Sequence, residues 1–238
     1  MQNQVLANEP LRIYTVNYPL QYFAQRIAGS HAEVIMPAPP DVDPAFWQPG
    51  IETILEYQRA DLVLLNGAGY ARWVKNVSLP QSRLVNTSAG FSDDYIKIET
   101  TTTHSHGPGG DHSHAGTAFT TWLDFKQAVE QARAIRNALV KRRPDQAEAF
   151  EHNFNLLAQE LRELDTELRS LLKDVDVPIL ASHPVYQYLV RTYGLNLRSV
   201  TWEPDEVPAV AEWAALRSLI NNHPARVMLW EDAPAQET

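Results

Sequence analysis

The stretch that decides the fold is residues 145–173, DQAEAFEHNFNLLAQELRELDTELRSLLK. Its large apolar side chains recur at alternating intervals of four and three residues, at Phe150, Phe154, Leu157, Leu161, Leu164, Leu168 and Leu171. This spacing places them along one face of an α-helix. Pro144 fits a helix start, and Asp145 and Glu148 put negative charge at the positive end of the helix dipole. We predict a backbone helix roughly 40 Å long that joins two lobes, with a coiled-coil segment as the alternative.

The composition is that of a globular protein with a surplus of negative charge. The chain of 238 residues is long enough for one large or two modest domains. The net charge of −9, with no run of Lys or Arg, argues against a nucleic-acid partner. The absence of cysteine excludes disulfides and thiolate metal sites, which leaves His, Asp and Glu as metal ligands.

No apolar run in the sequence reaches the length needed to cross a bilayer, and no signal-peptide hydrophobic segment precedes the first predicted strand. The chain is therefore either cytosolic or the mature part of an exported protein. Composition does not distinguish between these two origins.

Short apolar segments alternate with helical segments on both sides of the long helix. The predicted strands are residues 11–16, 32–36, 61–65 and 83–86 before it, and 177–182, 197–201 and 226–230 after it. The predicted helices outside it are residues 19–28, 51–58, a helix carrying Trp73, 184–193 and 208–222. Such alternation is typical of parallel sheets covered by helices. We expect an α/β protein of two lobes, each a mostly parallel sheet with flanking helices, joined by the long backbone helix.

The predicted domain limits follow from this order. An N-terminal α/β lobe covers residues 11–143 and includes a His-rich loop at 101–116. A linker helix covers 144–173, and a C-terminal α/β lobe covers 174–238.

Four of the eight histidines lie in the segment HSHGPGGDHSH, at His104, His106, His112 and His114. Its Gly and Pro spacer cannot pack a core, and neutral imidazoles at this density suit Zn, Ni or Cu. We predict a metal-collecting loop. The alternative is a solvated polar loop with incidental histidines.

Two further candidate ligands lie where predicted parallel strands end. His183 follows strand 177–182, and Glu231 follows strand 226–230. Ligands bind at the carboxyl ends of such strands, and imidazole and carboxylate are ligands for a divalent metal. A single histidine after a strand is also commonly a capping or core residue, so that alternative stays open. No nucleophile elbow, phosphate loop, dinucleotide fingerprint or HExxH motif is present, and we expect no enzyme.

Several short motifs occur in a specific order between residues 11 and 234. They are Tyr18-Pro19-Leu20, Asp43-Pro44 with Trp47 and Pro49, Ala60-Asp61-Leu62-Val63, Asn66-Gly67-Ala68-Gly69, Trp73, Trp122-Leu123-Asp124, Ser182-His183 with Tyr186 and Tyr188, and Tyr193-Gly194-Leu195. Together with the long helix and the His-rich loop, they resemble the substrate-binding proteins of metal-uptake ABC transporters, most closely the zinc-binding branch.

The resemblance implies two α/β lobes joined by a backbone helix, with one Zn²⁺ or Mn²⁺ held between them. It also implies a periplasmic or extracellular lipid-anchored protein that delivers metal to a membrane permease, its signal segment being absent from this chain. We expect a monomer. The second lobe has one strand–helix unit fewer than the resemblance implies, so we expect a truncation after Thr238.

The family pattern has two histidine ligands that this sequence lacks. One follows Asp-Pro, where this chain has Ala45, and the other lies two residues before the tryptophan of Trp-Leu-Asp, where it has Thr120. His183 and Glu231 match the two remaining ligands. Neither a methyl group nor a hydroxyl replaces an imidazole on zinc.

Three interpretations follow. In the first, which we favour, loop histidines supply the missing ligands, since His112 and His114 are nearest in sequence to Thr120. In the second, Asp43, Glu231 and His183 form an oxygen-rich site better suited to Mn²⁺. In the third, the cleft no longer holds metal tightly, and the protein is a periplasmic metal buffer, a chaperone or a diverged binding module. A metal-dependent hydrolase is the least supported reading.

Overall fold

The computed structural model describes residues 9–40, 42–98, 103–105, 111–113, 116–174, 176–204 and 206–238. By their packing, the residues form two compact units. The first unit comprises Met1–Tyr95 and Phe125–Asp165, and the second comprises Ile96–Asp124 and Thr166–Thr238. Each unit is thus built from two separate stretches of the chain.

The strands and helices follow one another largely in the order that the sequence predicts, with additions between residues 97 and 142. The predicted helix carrying Trp73 is instead a short 3₁₀ turn, Arg72–Asn76. The strands are β1 (Leu11–Thr15), β2 (Ala32–Ile35), β3 (Leu62–Leu65), β4 (Leu84–Asn86), β5 (Lys97–Ile98), β6 (Thr103–Ser105), β7 (Asp111–Ser113), β8 (Gly116–Thr117), β9 (Ile179–Ala181), β10 (Leu197–Ser199) and β11 (Met228–Leu229). The α-helices are α1 (Tyr18–Ala28), α2 (Ile51–Arg59), α3 (Phe125–Arg142), α4 (Ala147–Leu172), α5 (Gln187–Tyr193) and α6 (Val210–Asn222). Within the described residues, no helix is both long and apolar enough to cross a lipid bilayer.

The first unit contains a four-stranded parallel sheet in the order β2-β1-β3-β4. Ile13 of β1 lies beside Val34 of β2 and Leu62 of β3. Ile13, Val63 and Leu64 are fully buried. Strands buried on both faces explain the continuous apolar runs in the sequence. The expectation of an α/β fold with parallel sheets and flanking helices is confirmed.

Helix α1 illustrates how the sequence limits a helix at both ends. The side chain of Asn17 accepts a hydrogen bond from the backbone N–H of Leu20, and Pro19 lies in the first turn. Gly29 ends the helix with a φ of +55°, a region that favours glycine.

Helix α3 is not among the helices predicted from the sequence, although a signal for it exists. Ala128, Ala132, Ile135 and Leu139 are buried, and their spacing of four, three and four residues is that of one helix face. Four of the helix's buried positions are small or polar, at Gln127, Ala128, Gln131 and Ala132, which weakens the apolar pattern. It packs against α1 in the first unit.

Helix α4 confirms the long helix predicted at residues 145–173. It begins at Ala147 because Pro144–Gln146 forms a 3₁₀ turn ahead of it. Its apolar stripe is buried from Phe150 to Leu161, whereas Leu164 and Leu171 are exposed. The helix contributes residues up to Asp165 to the first unit and the remainder to the second.

The second unit contains a three-stranded parallel sheet in the order β10-β9-β11. Leu180 of the central strand packs in an apolar cluster with Trp202 and Leu216. The partly buried Trp213 and Trp230 pack against this cluster. The three-stranded second sheet agrees with the strands predicted from the sequence.

Two short antiparallel strand pairs also belong to the second unit. β5 pairs with β8, and β6 pairs with β7 so that His104 lies opposite His112. Residues 96–124 thus group with the second sheet. The domain limits 11–143, 144–173 and 174–238 stay a prediction from the sequence.

Candidate metal centre

His183 lies just beyond β9, at the carboxyl end of the central strand of the second unit. The N–H of Ser182 donates to the carbonyl of Leu229 at 2.9 Å, and the Ser182 carbonyl accepts from Trp202 N–H at 2.7 Å. These bonds extend the sheet by one residue on both sides. His183 therefore projects from a rigid sheet edge rather than from a loose loop.

The side chain of His183 faces a carboxylate that the sequence analysis missed. Its Nδ1 lies 3.1 Å from Glu203 Oε1, and the two side chains are 7% and 22% exposed. A negative charge beside Nδ1 favours the proton on that nitrogen, which leaves the lone pair of Nε2 for a metal ion. A signal was available, since Glu203 follows the strand predicted at 197–201 just as His183 and Glu231 follow theirs.

Glu231 is exposed and lies two residues after β11. Burial, and secondly the negative charge of Glu231, raise the pKa of Tyr186 to about 12. Tyr186 caps the start of α5, three residues after His183. The charge of Glu231 therefore affects the pKa of a residue at the same edge of the sheet as His183.

Thr120, where the sequence resemblance predicts that a histidine ligand is missing, has a hydrogen-bond partner of its own. Its side-chain hydroxyl donates to the backbone carbonyl of Val185, and the residue is buried. The N–H of Val185 in turn donates to the His183 carbonyl at 3.0 Å. Thr120 thus ties the segment after the His-rich loop to the turn that follows His183.

The base of the His-rich loop is held by a second buried contact. Ala118 N–H donates to the Ile96 carbonyl at 2.9 Å, which closes the loop. The fully buried Tyr188 of α5 accepts from Ile96 N–H at 3.3 Å and donates to the Ala118 carbonyl at 3.1 Å. The loop therefore begins and ends against the helix that follows His183.

The four loop histidines are only partly described. The backbone of His104 and His112 lies in β6 and β7, as one antiparallel pair of residues. His106 and His114 lie outside the described residues, as do the side chains of His104 and His112. Their assignment as ligands stays a prediction.

Asp43 belongs to the first unit and closes a turn there. Its Oδ1 accepts a hydrogen bond from Ala45 N–H at 2.8 Å, and its carbonyl accepts from Trp47 N–H at 3.0 Å. Ala45, at the position of the other missing ligand, is buried. The role of Asp43 as a ligand stays a prediction.

The described part of the chain contains no group of three or more His, Asp or Glu side chains that could hold a metal ion. It supplies a His183–Glu203 pair and the separate carboxylate of Glu231. Zinc sites use at least three protein ligands, so further ligands are needed to complete such a site.

Comparison with known families gives a match over nearly the whole chain. The family model described as ZnuA, zinc-uptake complex component A, periplasmic, matches residues 13–237. The zinc-binding protein AdcA of Streptococcus pyogenes serotype M3 is 26% identical, over 96% of this chain and 47% of its own length. The high-affinity zinc uptake system protein ZnuA of Bacillus subtilis is 28% identical, over 94% of this chain and 72% of its own length. The chain thus spans about half the length of the streptococcal relatives that it matches.

Solved structures show the same fold. The metal-dependent lipoprotein YcdH from Bacillus subtilis superposes with a TM-score of 0.78 at 25% identity, covering 96% of this chain and 81% of that one. The Zn(II)-bound ZnuA-like domain of Streptococcus pneumoniae AdcA gives a TM-score of 0.78 at 21% identity, covering 96% and 81%. These structures are of two-lobe binding proteins with a long connecting helix.

Proposed function

Because this chain belongs to the ZnuA family of zinc-uptake components, we propose that it binds Zn²⁺ outside the cytoplasm and delivers it to the permease of an ABC importer. The observation that carries the proposal is the family match over residues 13–237, a range in which His183 lies at a strand end. The resemblance inferred from the sequence motifs is confirmed by that match. The family has a binding role in zinc uptake, so the expectation that the chain is not an enzyme is confirmed as well.

The proposed ligands are His183, Glu231 and histidines of the loop, all within the second unit. His183 presents an imidazole at a rigid sheet edge, and Glu231 acts at the same edge through its charge on Tyr186. Imidazole and carboxylate are ligands that zinc takes in proteins. Two protein ligands are too few for tight binding, which is why the loop is needed.

The contacts at the base of the loop support this part of the proposal. The hydroxyl of Tyr188 in α5 is hydrogen-bonded to the backbone at both ends of the loop. The hydroxyl of Thr120, just after the loop, donates to the Val185 carbonyl in the turn that follows His183. Both anchors are buried, so the loop starts from a fixed position near His183. A tethered loop has a high effective concentration at a site within its reach.

Zinc is proposed rather than manganese because imidazole suits zinc, whereas carboxylate, carbonyl and water suit manganese. The family description and the matched relatives also name zinc. The interpretation with Asp43, Glu231 and His183 and an oxygen-rich Mn²⁺ site is therefore the less supported one.

A calorimetric zinc titration tests the proposal. The wild-type protein is expected to bind one zinc ion tightly, and a variant with His104, His106, His112 and His114 all changed to Ala is expected to bind about 100-fold more weakly, roughly 2.7 kcal/mol. The control is His152→Ala, which removes an exposed imidazole from α4 in the first unit and should leave the affinity unchanged.

Two outcomes contradict parts of the proposal. If the wild-type protein binds no zinc, the proposed function is wrong. If the fourfold variant binds as tightly as wild type, the loop histidines are not ligands. The alternative role as a periplasmic metal buffer or chaperone would gain support if zinc is bound but the gene lies apart from genes for an importer permease and ATPase.

A further inference from the structure

The pair formed by His183 and Glu203 has no counterpart in the ligand pattern from which the family resemblance was drawn. The two residues are separated by twenty positions in sequence, yet their side chains meet at 3.1 Å. Three features of the second unit explain why they meet, and together they assign a role to Glu203.

The first feature is the register of the sheet. β9 and β10 pair with Ala181 beside Ser199, and the ladder continues past both strands. Val200 N–H donates to the Ala181 carbonyl at 2.9 Å, and Trp202 N–H donates to the Ser182 carbonyl at 2.7 Å. The regular register would place Thr201 beside His183, but the bond between Trp202 and Ser182 leaves Thr201 as one extra residue on the β10 side. Glu203, the residue after Trp202, therefore lies beside His183, the residue after Ser182.

The second feature is the packing on either side of Glu203. Trp202, before it, is buried, with its ring centroid 4.8 Å from that of Trp213 and 6.3 Å from that of Trp230. Pro204, after it, has a restricted φ, and its carbonyl accepts from Ala235 N–H at 2.7 Å. The backbone of Glu203 is therefore held from both directions.

The third feature is the electrostatics of a pair that is largely removed from water. A carboxylate that is only 22% exposed needs a partner for its charge, and Nδ1 of His183 is one. A metal ion on Nε2 makes the imidazole more positive, and a carboxylate beside Nδ1 stabilises that state. The interaction is thus stronger with the metal bound than without it.

We infer that Glu203 is a positioning residue for the metal-binding His183: it holds the proton on Nδ1 and orients the ring so that Nε2 faces the metal ion. The inference rests on the proposed function, because it gives His183 zinc as its ligand. Glu203 itself does not bind the ion. Partners of this kind commonly contribute about 10- to 100-fold to metal affinity.

A double-mutant cycle on zinc affinity tests the inference. Zinc affinity is measured by competition with a chromophoric chelator for wild type, Glu203→Ala, Glu203→Gln, His183→Ala and the double variant His183→Ala/Glu203→Ala. We expect Glu203→Ala to weaken binding about 10- to 100-fold. Glu203→Gln should lose less, because its amide oxygen keeps a partial negative charge beside Nδ1. In the His183→Ala background, Glu203→Ala should have no further effect.

The control is Glu237→Gln, which removes one exposed carboxylate from the same unit and should leave zinc affinity unchanged. A second readout needs no zinc. Nitrogen-15 NMR of the imidazole should show the Nδ1–H tautomer for His183 in the wild type and a loss of that preference in Glu203→Ala. Glu203→Gln serves if the alanine variant fails to fold.

The outcomes separate this inference from the function on which it rests. A wild-type protein that binds no zinc overturns the proposed function, and the inference with it. Zinc binding that is lost in His183→Ala but unchanged in Glu203→Ala overturns the inference alone. A zinc-bound structure with a Glu203 oxygen at about 2.0–2.2 Å from the ion also overturns it, because Glu203 would then be a ligand.

Discussion

Thr120, where the sequence resemblance predicts that a histidine ligand is missing, has a structural role through its hydroxyl. It donates to the Val185 carbonyl, in the turn that follows His183. Ala45, where the resemblance predicts that the other histidine ligand is missing, is also buried. Both residues are thus part of the packing of their own unit.

Gly67 is a residue at which only glycine fits. Its φ is +77°, and a Cβ added there would lie 2.0 Å from Ser88 Oγ and 2.4 Å from Asn86 Oδ1. These atoms belong to a buried hydrogen-bond network in which Ser88 Oγ also donates to the Asn66 carbonyl at 2.6 Å. The close approach allows no side chain.

We predict that Gly67→Ala lowers the free energy of unfolding by about 2–4 kcal/mol, as a sum of backbone strain and overpacking. Gly69→Ala is the matched control, because Gly69 has a φ of +81° but nothing within 4 Å of an added Cβ. It should lose only the backbone contribution of about 1 kcal/mol. Urea unfolding of both variants measures the difference, and equal losses would contradict the clash.

Tyr186 predicts a dependence of stability on alkaline pH. Its pKa in the folded protein is raised to about 12, by burial first and by the charge of Glu231 second. An unfolded tyrosine releases its proton near pH ~10, so the folded state binds more protons between these two pH values. Stability should therefore fall as pH rises through this window.

The measurement is the free energy of unfolding from pH 9 to about 12, together with tyrosinate absorbance. Tyr186→Phe should remove part of the decline in stability, and Glu231→Gln should move the titration of Tyr186 to lower pH. A Tyr186→Phe variant with an unchanged pH profile would show that this phenol does not contribute.

At the scale of the elements, the apolar stripe of the long helix α4 is buried in one part and exposed in another. Leu157 is 1% exposed, whereas Leu164, two turns further along the same stripe, is 44% exposed. The spacing of leucines in the sequence is identical at the two positions. Burial against the rest of the first unit distinguishes them.

We predict that Leu157→Ala destabilises the protein by about 2–5 kcal/mol, because it leaves a cavity in the core. Leu164→Ala should change stability by no more than about 0.5 kcal/mol. Thermal or denaturant unfolding compares the two variants. Similar losses at both positions would mean that the whole stripe is buried, as in a coiled coil.

The strands and helices also show where local patterns are sufficient and where they are not. α1 has a capping asparagine and a terminal glycine, and α4 has a long apolar stripe, so each was predictable. α3 has two alanines and two glutamines among its buried positions, and it was not predicted. A buried alanine carries little periodic signal, since it is common on both sides of a helix.

At the scale of the whole molecule, all the ligands proposed here belong to the second unit. They are His183, Glu231 and the loop histidines. A ligand stabilises the folded state by mass action, by about 2.7 kcal/mol at a free concentration 100 times its Kd. The segments that carry the ligands should therefore be stabilised most strongly when zinc binds.

We predict that zinc slows hydrogen exchange most strongly in β9, in the turn 182–186 and in the loop base at 96–98 and 116–118. Exchange measured by mass spectrometry with and without zinc gives the comparison, and His183→Ala is the control in which the protection should disappear. Protection centred on residues 43–47 of the first unit would support the interpretation in which Asp43 is a ligand.

The amino-acid sequence by itself determined the alternation of strands and helices, the long helix and the place of His183 at a strand end. These properties depend on residue spacing over one or a few turns, which a sequence displays directly. The tertiary structure alone decided that Glu203 faces His183 and that Thr120 is hydrogen-bonded to Val185. It also decided that Tyr188 is hydrogen-bonded to the backbone at both ends of the His-rich loop. Each of these contacts joins residues 20 to 92 positions apart. Such contacts depend on strand order, register and packing, which no local pattern encodes.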